Sequence, residues 1–242
     1  MLELKDVVKN YHGQRVVDGL SFSVDSGQVL GIIGSNGAGK STCVSMIATL
    51  IKPDAGTILY NGEDISRHPD AIRGRMGFVP QEIALYESLT GLDNLKFWGK
   101  SYGVPSNRID DEIERVSGII GFDRDMLRKR VSECSGGMKR RLNIGVSLLS
   151  DPELVVLDEP TTGIDMQSAD QILAAIEALR ERGKSVIFVG HYMEEVERIS
   201  THFCIMEEGK SRAFGEKEEL LGSSEPGLTL AQLYKLLCGG IQ

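Results

Sequence analysis

Short apolar runs rich in β-branched residues recur along this chain, and stretches with helical spacing separate several of them. Such alternation predicts a mainly parallel sheet that helices cover on both faces. Between residues 2 and 33 the runs are joined only by short turns, at 10–13 and 25–27, and this favours antiparallel pairing there. The expected strands are residues 2–8, 16–24, 29–33, 57–60, 76–79, 154–157, 185–189 and 203–206.

A segment without a convincing strand pattern extends from residue 82 to residue 150. Its apolar residues have helical spacing, so we expect a helical lobe inserted into the sheet domain. A last amphipathic pattern follows the turn-like residues 223–227 and predicts a closing helix that docks on the core. The helical positions are Leu92, Leu95, Trp98 and Tyr102, then Ile109, Ile113, Val116 and Ile120, and finally Leu228, Leu230, Leu233, Leu236 and Leu237.

The charge balance argues against a nucleic-acid partner. The chain has 27 Lys and Arg against 35 Asp and Glu, a net charge of −8, whereas phosphate backbones select for basic stripes. We interpret the basic clusters at 129–130 and 139–141 as solvated helix charges. The four cysteines are scattered without a C-x-x-C pair, which predicts reduced thiols in a cytosolic setting.

The longest apolar runs, such as residues 154–157 and 186–189, are far shorter than the roughly 18 to 20 residues that cross a bilayer. We therefore expect that the chain does not span a membrane by itself. The first six residues lack the layout of a signal peptide. These observations predict a cytoplasmic location.

A glycine-rich loop at residues 34–42 follows the expected strand at 29–33 and leads into a helical stretch, which is the context that a phosphate-binding loop requires. Its main-chain N–H groups and the helix N-terminus favour a phosphate anion. We expect Lys40 to reach the β- and γ-phosphates and Ser41 to ligate Mg²⁺. The expected nucleotide-binding positions in this loop are Asn36, Gly37, Ala38, Gly39, Lys40, Ser41 and Thr42.

Two carboxylates, Asp158 and Glu159, follow the apolar strand at 154–157, at the strand end where doubly wound sheets bind their ligands. Asp158 is expected to hold the Mg²⁺ shell, and Glu159 to orient or deprotonate the attacking water. Adjacent buried carboxylates would repel each other without a cation nearby. His191 ends another core strand, and we expect it to contact the γ-phosphate and the catalytic water, although a lone histidine is usually a packed or surface imidazole.

Three further positions complete the candidate site. Gln81 ends the run at 76–81, where its amide can bind Mg²⁺ or water, and Tyr11 offers an aromatic face for adenine. An ordinary turn glutamine and a solvent-exposed tyrosine are the alternatives. Ser135 can cap a helix that begins near Gly136, and Gly136 and Gly137 allow close approach to a phosphate. A nucleotide on the first loop can meet this second segment only if another protomer supplies it.

In this order, the motifs resemble the nucleotide-binding subunit of an ABC transporter over essentially the whole chain. Residues 34–42 resemble the Walker A loop, Gln81 the Q-loop, 135–137 the signature and 154–158 the Walker B strand. Glu159 resembles the catalytic glutamate, 163–165 the D-loop with Asp165, and His191 the switch histidine, while Tyr11 matches the adenine-stacking position.

The resemblance implies an ATPase with a P-loop NTPase (RecA-like) core, an N-terminal antiparallel β subdomain and an inserted α-helical subdomain. It divides a single domain of residues 1–242 into a core at 1–81 and 151–222, a helical subdomain at 82–150 and a C-terminal helix at 223–242. It also implies ATP and Mg²⁺ as ligands, a second ATPase protomer, an integral membrane permease subunit, and a position on the cytoplasmic face of the cell membrane. Residues 86–98, 101–103 and 190–197 are similar to ABC-2 type export subunits.

The signature departs from the usual Leu-Ser-Gly-Gly-Gln, because Cys134 and Met138 flank the phosphate-facing trio, and Met138 cannot make amide hydrogen bonds. A homodimer and a heterodimer with a related chain both stay open. Two other hypotheses also stay open: a soluble ABC ATPase, for example in iron–sulfur assembly, and a nucleotide-binding regulator without turnover.

Overall fold

The computed structural model of the chain describes residues 1–222 and 227–239. The strands are β1 (Leu2–Tyr11), β2 (Gln14–Val24), β3 (Val29–Gly34), β4 (Ala55–Tyr60), β5 (Glu63–Asp64), β6 (Met76–Val79), β7 (Leu154–Asp158), β8 (Ser185–Val189), β9 (His202–Glu207) and β10 (Lys210–Glu216). The helices are α1 (Lys40–Ile47), α2 (Asp70–Arg73), α3 (Gly91–Ser101), α4 (Ile109–Ile120), α5 (Arg124–Arg128), α6 (Gly136–Ser147), α7 (Met166–Glu181), α8 (Met193–Ile199), α9 (Lys217–Gly222) and α10 (Leu230–Cys238).

The strands form two sheets. The first is antiparallel with the order β2-β1-β4-β5, and the second has the order β10-β9-β3-β8-β7-β6 and is parallel except at its β10 edge. The side chains of β7 and β8 are buried at every position, as in parallel strands that are covered on both faces. The predicted fold, a parallel core with an N-terminal antiparallel sheet, is therefore confirmed.

Residues 82–150 contain α3 to α6 and no strand. Leu95, Val116 and Leu142 are fully buried where these helices meet, and α6 also packs against α7 and β6. Thr90 caps α3 by accepting a hydrogen bond from the main-chain N–H of Asp93, as an N-cap residue does. The inserted helical segment thus has an apolar centre that α6 joins to the sheet domain.

The interpretation of residues 139–141 as solvated charges is wrong for two of the three. Arg140 is 6% exposed and Arg141 is 5% exposed, because α6 is surrounded by other elements and both guanidinium groups turn inward to main-chain carbonyls. Arg141 donates to Ile120 and Gly121 at the end of α4. The other cluster, at 129–130, is exposed as predicted.

The predicted closing helix is present as α10. Thr229 and Gln232 form a capping box at its start, and Leu230, Leu233 and Tyr234 are buried. The turn-like residues 223–226 lie outside the described part of the chain. No helix among the described residues is both long and apolar enough to cross a membrane.

Candidate nucleotide-binding site

Four adjacent parallel strands bring the predicted site residues to one edge of the sheet. In the order β3-β8-β7-β6, the glycine loop follows β3, His191 follows β8, Asp158 ends β7 and Gln81 follows β6. Since the strands are parallel, all four carboxyl ends lie on the same side. This topology explains how residues that are distant in sequence meet.

The glycine loop requires glycine where its backbone is left-handed. Gly37 and Gly39 have φ angles of 84° and 94°, a region that glycine enters without steric cost. A Cβ atom on Gly39 would also lie 2.5 Å from the carbonyl oxygen of Val16, so the loop packs directly on β2. The N-terminus of α1, where anions are favoured, therefore begins against the first sheet.

Lys40 is buried at the start of α1. Its Nζ donates to the carbonyl oxygens of Gly34 and Ser35, at 2.8 and 3.0 Å. Burial lowers the pKa of Lys40, and the nearby carboxylates of Glu159 and Asp158 oppose that shift. The ammonium group is thus held inside the loop, on the side of the two carboxylates.

Asp158 is buried beside Ser41 and Lys40. Burial raises the pKa of Asp158, with a further increase from Glu159 and a decrease from a hydrogen bond with Ser41. Among the described residues its Oδ1 is buried and has no hydrogen-bond partner. A buried carboxylate oxygen without a partner, next to a hydroxyl group, suits a hard cation such as Mg²⁺. The residues present therefore fit the metal that the sequence implies.

Glu159 is at the centre of a three-residue cluster. Gln81 Nε2 donates to Glu159 Oε2 at 2.9 Å, and His191 Nε2 lies 2.6 Å from Glu159 Oε1. The φ angle of Glu159 is 51°, a left-handed conformation that is uncommon for a residue other than glycine and is often found at functional sites. The structure thus brings Gln81, Glu159 and His191 together.

The signature segment lies on a different part of the chain from the glycine loop. Ser135 caps α6 by accepting from the main-chain N–H of Met138 at 3.2 Å. The carboxylate of Asp165 accepts from the N–H and hydroxyl of Ser168, and these bonds lower the pKa of Asp165. Gly137 packs so closely on Ser168 that an added Cβ would overlap its side chain.

The two flanking residues of the signature are used within the chain. The Cys134 side chain is buried, with its thiol 3.5 Å from the carbonyl oxygen of Arg130. The partly buried side chain of Met138 packs against the apolar core. Both departures from the usual signature therefore face inward, and the exposed Ser135 and Gly136 remain at the surface.

Tyr11 is at the turn between β1 and β2, and its ring is 41% exposed. Lys9 Nζ lies 5.7 Å from the centre of this ring, within cation–π range. Its contact with adenine stays a prediction.

Sequence reasoning missed Arg140. Its guanidinium donates to the carbonyl oxygens of Pro80 and Gln81, at 2.9 and 2.6 Å. The sequence does not predict this contact. Arg140 has charged neighbours near the start of a helix, which is typical of an exposed position, and its partners are main-chain carbonyls, which belong to no sequence motif.

This fold and this arrangement of loop, carboxylates and strand-end polar groups define a P-loop nucleoside triphosphatase. The family model described as "ABC transporter" matches residues 17–162. The chain belongs to the ABC transporter family, as an ATP-binding subunit with the ATPase site of that family.

Similar proteins agree with this assignment. The chain is 42% identical to the linearmycin resistance ATP-binding protein LnrL of Bacillus subtilis (strain 168), over 96% of this chain and 74% of that protein. It is 39% identical to the Nod factor export ATP-binding protein I of Ralstonia nicotianae, over 97% and 72%. A solved structure of the ATP-binding subunit of an ABC transporter superposes with a TM-score of 0.87 at 28% identity, over 98% of this chain and 99% of that one.

Proposed function

We propose that this subunit hydrolyses Mg–ATP between two protomers and drives export through a separate membrane permease, at the cytoplasmic face of the cell membrane. The observation that supports hydrolysis most directly is the Glu159 cluster. Its carboxylate is held by Gln81 and His191, which follow the strands β6 and β8 on either side of β7, and β8 is next to the β3 strand that precedes the glycine loop. Export is supported by the two relatives, whose names refer to resistance and to export.

The chemistry assigned to the residues is phosphoryl transfer to water, in which positioning and charge stabilisation supply most of the catalysis. Lys40 leaves the loop carbonyls to bind the β- and γ-phosphates, and Glu159 orients the attacking water and accepts its proton. His191 holds that carboxylate and contacts the γ-phosphate. Mg²⁺, held by Ser41, Asp158 and Gln81, supplies positive charge to the phosphate oxygens when bound.

The remaining predicted residues bind the nucleotide. The loop residues 36–42 surround the phosphates with main-chain N–H groups, and Tyr11 stacks on adenine. Ser135, Gly136 and Gly137 bind the γ-phosphate of the ATP on the partner protomer, and Asp165, which lies beside Gly137 of the same chain, contributes to nucleotide binding. This division assigns the core to residues 1–81 and 151–222, the signature subdomain to 82–150 and the C-terminal helix to 223–242.

Replacing Asp158 by asparagine is expected to raise the Mg²⁺ concentration for half-maximal ATP hydrolysis at least about tenfold, because the buried oxygen without a partner loses its negative charge. Phosphate release measured over a Mg²⁺ titration tests this. Asp170→Asn, on the exposed face of α7, is the control. An unchanged Mg²⁺ midpoint in the Asp158 variant would contradict the metal assignment.

The permease docks on an exposed aromatic patch of the helical subdomain, which we define as Tyr86, Phe97, Trp98 and Tyr102. Three of these rings are close to half exposed, and neighbouring rings lie 4.9 to 6.0 Å apart. Large exposed apolar patches mark interaction sites. Tyr86, the first residue of the patch, follows Gln81 by five residues along the chain.

Affinity purification from detergent-solubilised membranes tests transport against the soluble alternative. The wild-type chain is expected to recover an integral membrane protein, and Phe97→Asp is expected to lose it while retaining ATP binding. Glu181→Gln is the control, because Glu181 is exposed on α7 and is distant in sequence from the patch. Recovery of soluble partners alone would refute transport, and absence of phosphate release with the permease present would support a regulator without turnover.

A further inference from the structure

Arg140 connects the signature helix to the catalytic cluster of the same chain. It lies on α6, three residues after Gly137, and its two terminal nitrogens donate to the carbonyl oxygens of Pro80 and Gln81 at 2.9 and 2.6 Å. The planar fork of arginine suits such a pair of acceptors, whereas lysine offers a single ammonium group. Because Arg140 is buried, breaking these bonds would leave a buried charge and two carbonyls unpaired.

A second contact holds the same segment to α6. Asn143 lies three residues further along the same side of the helix, and its Oδ1 accepts from the main-chain N–H of Ala84 at 3.3 Å. At the exposed end, Lys139 Nζ lies 2.6 Å from Glu87 Oε1. Side chains of α6 therefore hold the segment from Pro80 to Glu87 at several points.

The connection continues from the main chain of Gln81 through its side chain. Gln81 Nε2 donates to Glu159 Oε2, and Glu159 Oε1 lies within hydrogen-bond distance of His191. Hydrogen bonds at the main-chain carbonyl and at the side-chain amide of Gln81 thus connect Arg140 of α6 to Glu159. The carboxylate of Glu159 is therefore connected to α6 through Gln81.

We propose that Arg140 is a positioning residue that couples the two ATP sites of the dimer. It transmits the position of α6, set by the ATP of the partner protomer at Ser135 and Gly137, to Gln81 and Glu159 of its own protomer. This inference rests on the proposed function. It assigns Arg140 no contact with ATP.

The test uses Arg140→Lys in the full chain together with its permease. Steady-state kcat is expected to fall about tenfold, with the Kd for an ATP analogue on the glycine loop unchanged, because the loop residues are untouched. The Hill coefficient for ATP is expected to fall to about one, because ATP binding at one site no longer changes the affinity of the other site. Rates are normalised to the fraction of protein that binds nucleotide, so that misfolded protein does not lower the measured kcat.

A double-mutant cycle separates positioning from a purely structural role. The losses from Arg140→Lys and Gln81→Ala are expected to overlap rather than add, because both variants interrupt the same series of bonds. Arg141→Lys is the matched control: it is the next residue, equally buried, and donates to Ile120 and Gly121 within the helical subdomain. We expect it to lower the Tm, leave the Hill coefficient unchanged and combine additively with Gln81→Ala.

Two results would overturn the coupling role: unchanged kcat and Hill coefficient in Arg140→Lys, or full additivity with Gln81→Ala. Either result with an active wild-type chain would leave the proposed function intact. A wild-type complex that releases no phosphate would instead refute the proposed function and the coupling role with it.

Discussion

Replacement of Glu159 by glutamine is expected to lower ATP turnover by at least about a hundredfold while leaving ATP binding intact, as is usual when a general base is removed. Glutamine has the same shape, and its amide oxygen still accepts the hydrogen bond from Gln81 that the structure shows at 2.9 Å. It has no negative charge with which to accept a proton from water. The cluster geometry is thus kept and its chemistry is removed.

A stalled site should also hold two protomers together. If ATP at the interface cannot be hydrolysed, the Glu159→Gln chain is expected to elute as a dimer in Mg–ATP and as a monomer without it. Phosphate release measures turnover, and size-exclusion chromatography measures dimer formation. Glu181→Gln is the control, because Glu181 is exposed at the end of α7, and it should behave as the wild type. Unchanged turnover in Glu159→Gln would contradict the role assigned to Glu159.

The position of most of the site follows from strand ends. The glycine loop, Asp158 and His191 each follow an apolar run that reads as a buried strand, and parallel strands share one carboxyl edge. The order β3-β8-β7-β6 depends on tertiary packing, however, and no local pattern predicts it. The distances that join Gln81, Glu159 and His191 could therefore be known only from the structure.

Two other features show where sequence patterns fail. Arg140 is charged, and periodicity assigns charged residues to solvent, although five donors can satisfy buried carbonyls. β10 alternates between partly buried and exposed residues at the edge of the sheet, and its Lys, Arg and Gly positions resemble those of a loop. In both cases the missing information is the identity of the neighbouring element.

Two variants that each hydrolyse ATP poorly alone are expected to regain activity when they are mixed. Lys40→Ala removes the ammonium group that Gly34 and Ser35 hold inside the loop, so that chain should bind ATP at least about tenfold more weakly. Gly137→Ala adds a Cβ that overlaps the side chain of Ser168, which displaces the start of α6 from the partner's phosphate. The loss in turnover is expected to be about a hundredfold or more, as for a lost transition-state donor.

A mixed dimer has one intact site. The glycine loop of the Gly137→Ala protomer faces the unaltered signature of the Lys40→Ala protomer, while the opposite site has both defects. With random pairing about half of the dimers are mixed and each has one complete site of two, so an equimolar mixture should reach at most about a quarter of wild-type turnover. Turnover is lower than this bound where the displaced α6 of the Gly137→Ala protomer disturbs Gln81 and Glu159 of the same protomer.

Gly118→Ala is the control for the added methyl group, because a Cβ at that position of α4 meets no heavy atom within 4 Å, and it should hydrolyse ATP as the wild type does. If both halves of the site came from one chain, each variant would lack one half, and mixing would restore nothing. An inactive mixture, in conditions where Glu159→Gln forms an ATP-dependent dimer, would therefore contradict the composite site. Recovery would show that the glycine loop and the signature act across two copies of this chain.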